Sequence, residues 1–360
     1  MPRGRPLITA NQVTLARLIP MPLLVWLIYE GYRTGNNTYL WSALIAGTVI
    51  GCTDWVDGVL ARKQGPTVLG GLLDPMADKV FIAFAYTPFA DIAVPLVPWW
   101  ACALMFTREF FVTALRSAYE QRNLSLKTSY IAKAKTWTQM QGIGILLLFP
   151  LVENKNWLIG LMATGAIGPI VGMGVLWLWK RKFWRGAFAM SASFLALLLV
   201  FLYDESYGPR AMMVGILAIT WISGIDYIIA GWRQLRGRGD FTRADGVRLL
   251  GSFSLPILLF AVLHYTDAPR WTIFTILAFE LSVGGLDNLL SHHKTATLAL
   301  AWGGRVLGVS ILLLGALLLP SEAAPLTIVA TAISVFGVCA EFYRGRSYYL
   351  DEKIRDEPKT

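Results

Sequence analysis

The chain has 360 residues, of which 55% are hydrophobic and 15% are charged, and this composition excludes a water-soluble globular domain. Its formal net charge is +9, but the basic residues are dispersed among many short polar segments, which argues against a nucleic-acid-binding patch. We therefore expect an integral membrane protein that has no nucleic-acid partner and whose positive charge faces anionic lipid headgroups.

About twelve apolar stretches follow one another along the chain, and most are close to the ~20 residues that a helix needs to cross a bilayer. They predict an all-α, polytopic helical bundle with about 12 transmembrane helices. The first stretch is long, lacks a small-residue cleavage site and contains Arg17, so we interpret it as a membrane helix and not as a cleaved signal peptide. The stretches are 13–31, 38–60, 73–91, 97–115, 134–152, 157–179, 187–203, 211–231, 247–265, 271–290, 296–319 and 325–342.

The distribution of positive charge predicts the orientation. If the N-terminus is cytoplasmic, the alternation of twelve spans assigns most of the basic residues to the cytoplasmic side, as the positive-inside rule requires. The C-terminus is then cytoplasmic as well. The basic residues that fall on the outside are Arg33, Lys155, Arg210 and Arg270.

Four aspartates stand in one short segment that is otherwise largely apolar: Asp54, Asp57, Asp74 and Asp78. Spacings of three and four residues place each pair on one face of a helix. Carboxylates within a membrane protein need compensation, and hard divalent cations such as Mg²⁺ or Mn²⁺ suit an all-oxygen ligand set. The pattern therefore predicts a divalent-cation site, and the alternative of solvated loop acids is disfavoured by the apolar residues around each aspartate.

Residues between the aspartates extend this pattern. Gly58 and Ala61 leave the backbone open to a flat ligand, and Arg62 offers a guanidinium to a phosphate. A glycine follows at position 70 or 71, either of which fits the spacing. The string resembles the D-x2-D-G-x2-A-R…G-x3-D-x3-D signature of the CDP-alcohol phosphotransferase family.

That resemblance implies the CDP-alcohol phosphotransferase fold in the N-terminal part of the chain and a role for each motif residue. Two Mg²⁺ or Mn²⁺ ions would be held by Asp54, Asp57, Asp74 and Asp78, with Asp78 also acting as the catalytic general base. The cytidine diphosphate would be bound by Asp54, Asp57, Gly58, Ala61, Arg62 and Gly70.

A second segment, 106–140, combines an acid with several bases. Arg108 and Glu109 lie inside an apolar stretch, Arg116 stands about two turns later, and Lys133 and Lys135 open the next stretch. One interpretation is a Glu109 ion pair flanked by ordinary inside-positive residues. We favour a phosphate-binding pocket for the acceptor, formed by Arg108, Arg116 and Lys135.

Further strings narrow the resemblance to the family members that use glycerol-3-phosphate, the phosphatidylglycerophosphate synthases. The opening Asn-x2-Thr-x2-Arg pattern (Asn11, Thr14, Arg17) is similar to theirs, as are LLDPMADK, TREFFVTALR, KAKTWTQ and the string SGIDYIIAGWRQL at 223–235. The resemblance implies a transferase of phospholipid biosynthesis that converts CDP-diacylglycerol and glycerol-3-phosphate into phosphatidylglycerophosphate and CMP. It further implies a homodimer surrounded by lipid in the bacterial inner (cytoplasmic) membrane, with the active site facing the cytoplasm.

The matched strings end by residue 235, which predicts a catalytic membrane domain at 1–235 and an appended transmembrane segment of unknown role at 236–360. Within the first part, an extra helical hairpin is expected at about 153–205. A rival partition makes the C-terminal half a degenerate second copy, with Asp226 in the place of Asp54. Two other functions stay open: the same fold with another acceptor such as inositol phosphate, and a membrane transporter.

Overall fold

The computed structural model describes residues 8–65, 67–92, 97–122, 130–181, 186–238, 241–292 and 299–350. Within these ranges the chain is helical and contains no strand, as the composition predicts. The α-helices are α1 (Ala10–Ala16), α2 (Met21–Thr34), α3 (Asn37–Gln64), α4 (Val68–Ile92), α5 (Trp99–Glu120), α6 (Tyr130–Leu151), α7 (Lys155–Lys180), α8 (Gly186–Tyr203), α9 (Gly208–Arg238), α10 (Arg243–Tyr265), α11 (Arg270–His292), α12 (Ala299–Leu318) and α13 (Ala323–Leu350).

Polar residues at the helix ends explain several of these boundaries. Thr9 and Gln12 form a capping box at the start of α1, and Thr242 and Asp245 form another at the start of α10. The side chain of Asn36 accepts a hydrogen bond from the Thr38 amide at the start of α3. Such caps satisfy backbone groups that the helix itself leaves unpaired.

The apolar stretch predicted at 13–31 forms two helices with a short break between them, and together they still make one segment, Ala10–Thr34, that is long and apolar enough to cross a membrane. It divides into the short α1 and the longer α2, with Arg17 capping α1 and Pro20 capping α2. A proline in the first turn of a helix removes no intrahelical hydrogen bond, because the first N–H groups have no partner within the helix, so Pro20 and Pro22 suit the start of α2. The other eleven apolar stretches each coincide with one of the helices α3–α13.

In the described part of the chain, nine helical segments are long and apolar enough to cross a membrane. The protein is therefore an integral membrane protein, whereas the expected twelve spans and the cytoplasmic termini remain predictions. The helices α4, α5 and α6 are not among the nine, and they carry many of the charged residues of the two sequence clusters. The nine segments are Ala10–Thr34, Asn37–Gln64, Lys155–Trp179, Gly186–Tyr203, Glu205–Ile229, Arg243–Tyr265, Arg270–Ser291, Leu300–Leu318 and Pro320–Leu350.

Helices α10 and α11 pack directly on α4 and α5, so the C-terminal helices are continuous with the bundle that carries the motifs. The rings of Phe106 on α5 and Phe260 on α10 are stacked with their centroids 5.6 Å apart. One core of buried apolar side chains runs from Met21 on α2 to Val338 on α13. The proposed boundary at 235/236 is therefore a boundary of motifs and not of packing.

Helices α7 and α8 pair with each other at the place where an extra hairpin is expected, and they contribute to a small apolar cluster of their own. This cluster contains Leu158, Met162, Leu197 and Phe201. The side chain of Asp226 lies outside the described residues, so the hypothesis that it marks a second copy stays a prediction.

Candidate active site

The four aspartates come from the end of α3 and the first turns of α4, and the structure brings all of them to α1. Asp54 and Asp57 lie on α3, and Asp74 and Asp78 lie on α4. Gly65, in a positive-φ conformation, ends α3 and lets the chain turn toward α4. Their local helical spacing is the one that the sequence predicts.

Two side chains of the N-terminal segment connect the aspartates. The Thr14 hydroxyl lies 2.8 Å from Asp57 Oδ2 and 3.1 Å from Asp74 Oδ1. The guanidinium of Arg17 donates from Nη1 to Asp54 Oδ1 at 2.8 Å and from Nη2 to Asp78 Oδ1 at 2.9 Å. Arg17 Nη2 also lies 3.1 Å from the backbone carbonyl oxygen of Asp74. Thr14 therefore bridges Asp57 and Asp74, and Arg17 bridges Asp54 and Asp78.

Segment α1 is itself fixed across the connection between α3 and α4. The Gln64 amide donates to the carbonyl oxygen of Ile8 at 2.8 Å and accepts from the Ala10 amide at 3.1 Å. Asn11 Nδ2 donates to Thr67 Oγ1 at 3.1 Å. These bonds keep Thr14 and Arg17 in register with the aspartates.

Sequence reasoning assigned no role in the site to Thr14, Arg17, Gln64 or Thr67. The signal for the first two was the Asn-x2-Thr-x2-Arg pattern, because residues three apart on a helix share one face. Gln64 and Thr67 carried no such signal, since their contacts depend on how the N-terminal segment folds back over the loop.

The structure distinguishes the two candidate glycines. A Cβ atom at Gly70 would stand 2.8 Å from Asn11 Oδ1 and 2.9 Å from Thr67 Oγ1, whereas a Cβ atom at Gly71 would meet nothing within 4 Å. Gly70 is therefore the position at which the α1 contact requires glycine.

This difference gives a matched pair of variants. Gly70→Ala is expected to displace Asn11 and Thr67 and to lower both activity and melting temperature, whereas Gly71→Ala is expected to behave as wild type. Thermal unfolding in detergent and initial rates of CMP release measure both effects. Equal behaviour of the two variants would contradict the role of Gly70 in positioning α1.

Three of the predicted nucleotide-contact residues, Gly58, Ala61 and Arg62, lie on the last turns of α3. Gly58 leaves open space, since a Cβ atom there would have only Arg62 Nη1 nearby, at 3.6 Å. Arg62 is exposed near the end of α3, and Ala61 is half-buried. The small residues leave a surface beside Asp57 that a flat ring can approach.

The chemistry of the acidic cluster fits divalent cations. Four carboxylates supply the hard oxygen donors that Mg²⁺ and Mn²⁺ prefer. The carboxylates are close enough to repel one another electrostatically. Asp74 interacts in this way with Asp54 and Asp57, and Asp78 interacts with Asp54 and Asp74. Within the described ranges no three such side chains form a ready metal-binding group, because Thr14 and Arg17 stand between the carboxylates.

The predicted acceptor residues form a second cluster around Glu109. Lys135 Nζ donates to Glu109 Oε1 at 2.6 Å, and Arg108 Nη1 donates to the same oxygen at 3.2 Å. Arg108 Nη2 donates to Ser223 Oγ on α9 at 2.8 Å. The ion pair of the alternative interpretation is thus present, and it is the feature that gathers Arg108 and Lys135 in one place. The side chain of Lys133 lies outside the described residues.

Two further cations join this cluster. Lys79, which sequence reasoning did not select, donates from Nζ to Thr113 Oγ1 at 2.7 Å and interacts electrostatically with Glu109 and Lys135. Arg116 is half-buried, and its guanidinium lies 5.3 Å from the centre of the Tyr227 ring. Three cations therefore lie near one carboxylate, and Arg116 is close enough to interact electrostatically with Lys79 and Lys135. The cluster carries a net positive charge, which suits a phosphate.

A comparison with known proteins identifies the family. A family model described as CDP-alcohol phosphatidyltransferase matches residues 7–179, which include the aspartate motif and the basic cluster up to Lys135. A CDP-diacylglycerol–glycerol-3-phosphate 3-phosphatidyltransferase of Bacillus subtilis is 31% identical over 165 residues, covering 41% of this chain and 84% of the relative. The chain belongs to the CDP-alcohol phosphatidyltransferase family.

Other relatives agree with that membership. A probable phosphatidylglycerophosphate synthase of Mycobacterium tuberculosis is 33% identical over 142 residues, covering 39% of this chain and 65% of the relative. A CDP-diacylglycerol–glycerol-3-phosphate 3-phosphatidyltransferase of Salmonella choleraesuis is 33% identical over 147 residues, covering 38% of this chain and 75% of the relative. The chain thus spans about two thirds of the mycobacterial relative's length. No solved structure matches the chain.

The family assignment confirms the resemblance to the CDP-alcohol phosphotransferase family that the motif strings indicated. The matched region of this CDP-alcohol phosphatidyltransferase family member ends within α7, and each of the three relatives aligns with about two fifths of the chain. Helices α10–α13 lie beyond the family match, although they pack on the helices that carry the motifs.

Proposed function

We propose that this protein transfers the phosphatidyl group of CDP-diacylglycerol to glycerol-3-phosphate, giving phosphatidylglycerophosphate and CMP. The observation that carries this proposal is the arrangement around α4, where consecutive residues belong to the acidic cluster and to the basic cluster. Asp78 belongs to the acidic cluster through its contact with Arg17, and the next residue, Lys79, contacts Thr113 beside the basic cluster. A phosphorylated acceptor bound by the cations would then lie close to the carboxylates.

The acidic cluster would hold the reacting end of the lipid nucleotide. Two Mg²⁺ or Mn²⁺ ions bound by Asp54, Asp57, Asp74 and Asp78 would supply charge neutralisation of the pyrophosphate and of the leaving CMP. We assign the contacts to cytidine diphosphate to Asp54, Asp57, Gly58, Ala61, Arg62 and Gly70.

Asp78 is the residue that we propose as general base. The acceptor hydroxyl attacks the phosphorus that carries diacylglycerol, the bond from that phosphorus to CMP breaks, and the hydroxyl proton passes to the Asp78 carboxylate. Its side chain is 26% exposed, so a substrate can reach it from outside the protein core. Correct placement of this carboxylate matters more than high basicity, since a base contributes only within hydrogen-bond reach of the proton it takes.

The basic cluster would bind the phosphate of the acceptor. Arg108 and Lys135 both form ion pairs with Glu109, which fixes their positions and compensates one of their two positive charges. Arg116 has no such acid partner in the contacts described here and is partly exposed, so it is the cation best placed to receive an incoming phosphate. This pocket disfavours an acceptor without a phosphate group.

The remaining predictions follow from the same function. The site would face the cytoplasm from the bacterial inner membrane, where the soluble acceptor is found and the lipid tails of CDP-diacylglycerol stay in the bilayer. A homodimer is also proposed, although α10 and α11 already cover one side of α4 and α5, so a second copy would have to bind another face.

The experiment that tests the function measures CMP release by purified protein with CDP-diacylglycerol and a panel of acceptors. Release is expected with glycerol-3-phosphate, dependent on Mg²⁺ or Mn²⁺, with a lipid product of the mass of phosphatidylglycerophosphate. Turnover with inositol phosphate alone would keep the reaction class and change the acceptor. If no acceptor supported CMP release, the result would contradict the proposed phosphatidyltransferase activity, and the transporter hypothesis would remain.

The acceptor pocket makes a separate prediction. Arg116→Ala is expected to raise the KM for glycerol-3-phosphate by about tenfold to hundredfold, because a hydrogen bond to a charged group is worth about 1.5–3 kcal/mol. The KM for CDP-diacylglycerol should change little. Arg33→Ala, which removes an exposed arginine on α2, is the matched control. Equal changes in both KM values would contradict an acceptor role for Arg116.

A further inference from the structure

The guanidinium of Arg17 lies between two carboxylates of the acidic cluster. It binds one oxygen of Asp54 and one of Asp78, from opposite helices of the motif, at 2.8 and 2.9 Å. Among the described residues, it is the cation that forms ion pairs with these aspartates. Its residue is only 4% exposed, so the two pairs are shielded from solvent on the arginine side.

These contacts place Arg17 in conflict with any divalent cation that uses the same ligands. A guanidinium and a metal ion are both positive, and both would approach the oxygens of Asp54 and Asp78. Two cations cannot contact the same carboxylate oxygens at full strength without repelling each other. Binding of the metal must therefore weaken or displace the Arg17 contacts.

The guanidinium has one donor that is not used in the present contacts. Arg17 Nε is buried and has no hydrogen-bond partner among the described residues, so one of its donors is unused while the other two nitrogens hold the carboxylates. Arg17 is the C-cap of α1: its amide still donates to the Val13 carbonyl oxygen at 3.1 Å, whereas Leu18 and Ile19 make only i→i−3 turn bonds before α2 begins. An anionic oxygen arriving with the cations would offer that donor a partner.

We infer that Arg17 is the resident counter-ion of the four aspartates and competes directly with divalent cations for Asp54 and Asp78. In this role Arg17 is a positioning residue, since it acts through the carboxylates. It keeps four like charges together in the folded protein before the cations bind, and it lowers the affinity of the site for them. The inference rests on the proposed function for the presence of the cation site.

The test measures Mn²⁺ binding to the full-length protein in detergent by the loss of the free Mn²⁺ spin-resonance signal. Arg17→Gln is expected to bind Mn²⁺ at least about tenfold more tightly than wild type, because displacing one charge-assisted hydrogen bond costs about that factor. Lys63→Gln removes an equal charge from an exposed position at the end of α3 and is the matched control. Its affinity should change much less.

A second measurement separates this role from general damage to the fold. In EDTA, Arg17→Gln is expected to melt at a lower temperature than wild type, and Mn²⁺ should raise its melting temperature by more than it raises that of wild type. Arg17→Lys, which keeps the charge but cannot bridge two carboxylates with a planar fork, should show intermediate values for both. This variant keeps the comparison available if Arg17→Gln does not fold.

The outcomes are distinct. Weaker or unchanged Mn²⁺ binding by Arg17→Gln, or by Arg17→Lys if only that variant folds, would overturn the competition and leave Arg17 as an ordinary structural residue. An equal tightening by Lys63→Gln would assign the effect to net charge and overturn it as well. No Mn²⁺ binding by any of the proteins, wild type included, would contradict the cation site of the proposed function and with it this inference.

Discussion

Asp78→Asn is expected to lower the rate of CMP release by about a hundredfold to ten-thousandfold, the usual contribution of a general base. The amide has nearly the same volume but cannot accept the acceptor's proton, and it removes one negative charge from the proposed cation site. The Arg17 contact to position 78 would also lose its ionic character, since Nη2 now donates to Asp78 Oδ1 at 2.9 Å. Initial rates with saturating substrates measure the effect.

The control for this variant is Asp267→Asn, which makes the same chemical change at an exposed position outside the acidic cluster. It should retain wild-type turnover. Circular dichroism and gel filtration of Asp78→Asn should match wild type, because its side chain is not part of the apolar core. Substantial CMP release by a folded Asp78→Asn protein would remove Asp78 from the mechanism.

Most of the helices could be predicted from the sequence, because in a membrane protein a continuous apolar run of sufficient length almost always forms one. The exception is the first stretch, where apolar content indicated one span and Pro20 and Pro22 divide it into α1 and α2. Hydropathy averages over a window, so it does not register a short break that leaves both parts apolar. That break is what places Arg17 against the aspartates.

The acidic cluster was predictable because its carboxylates lie within two adjacent helices at helical spacing. The basic cluster was predicted only in part: Arg108 and Lys135 meet, but they meet on Glu109, and Lys79 joins them from α4. Which face of α4 turns toward α5 depends on packing between helices, and the sequence contains no local signal for it. The contact of α11 with α4 could not be predicted from the sequence for the same reason.

A chain that ends after α9 is expected to lose both its folded state and its activity. The first reason is that α11 packs against α4 and α5, the helices that carry residues of both clusters. Its Gly284 and Gly285 allow a close approach: a Cβ atom at Gly284 would lie 3.1 Å from Thr113 Cγ2, and one at Gly285 would lie 3.0 Å from Met76 Cγ. Thr113 holds Lys79, and Met76 stands between the two aspartates of α4. Without α11 these positions would face lipid.

The second reason is electrostatic. Arg122, at the end of α5, pairs with Asp245 on α10, whose side chain is 1% exposed. Asp91 on α4 accepts hydrogen bonds from Tyr29 and from Arg270 on α11. Removing one partner of a buried ion pair costs about 3–5 kcal/mol, a large part of the 5–15 kcal/mol that stabilises a typical folded protein. This figure applies to Arg122, which would lose Asp245. Asp91 would lose less, since it keeps Tyr29 and the side chain of Arg270 is 41% exposed. The Phe106–Phe260 stack would be lost as well.

The decisive comparison uses the same break made in two ways. One protein is synthesised only to residue 240, and the other is the full chain with a protease site inserted between α9 and α10 and cut after purification. The first should aggregate or yield no active protein, whereas the two parts of the second should co-purify and release CMP at nearly the wild-type rate, since packing and not the peptide bond joins them. A monodisperse truncated protein with wild-type turnover would make α10–α13 accessory. A monodisperse but inactive one would mean that these helices shape the active site without being needed for folding.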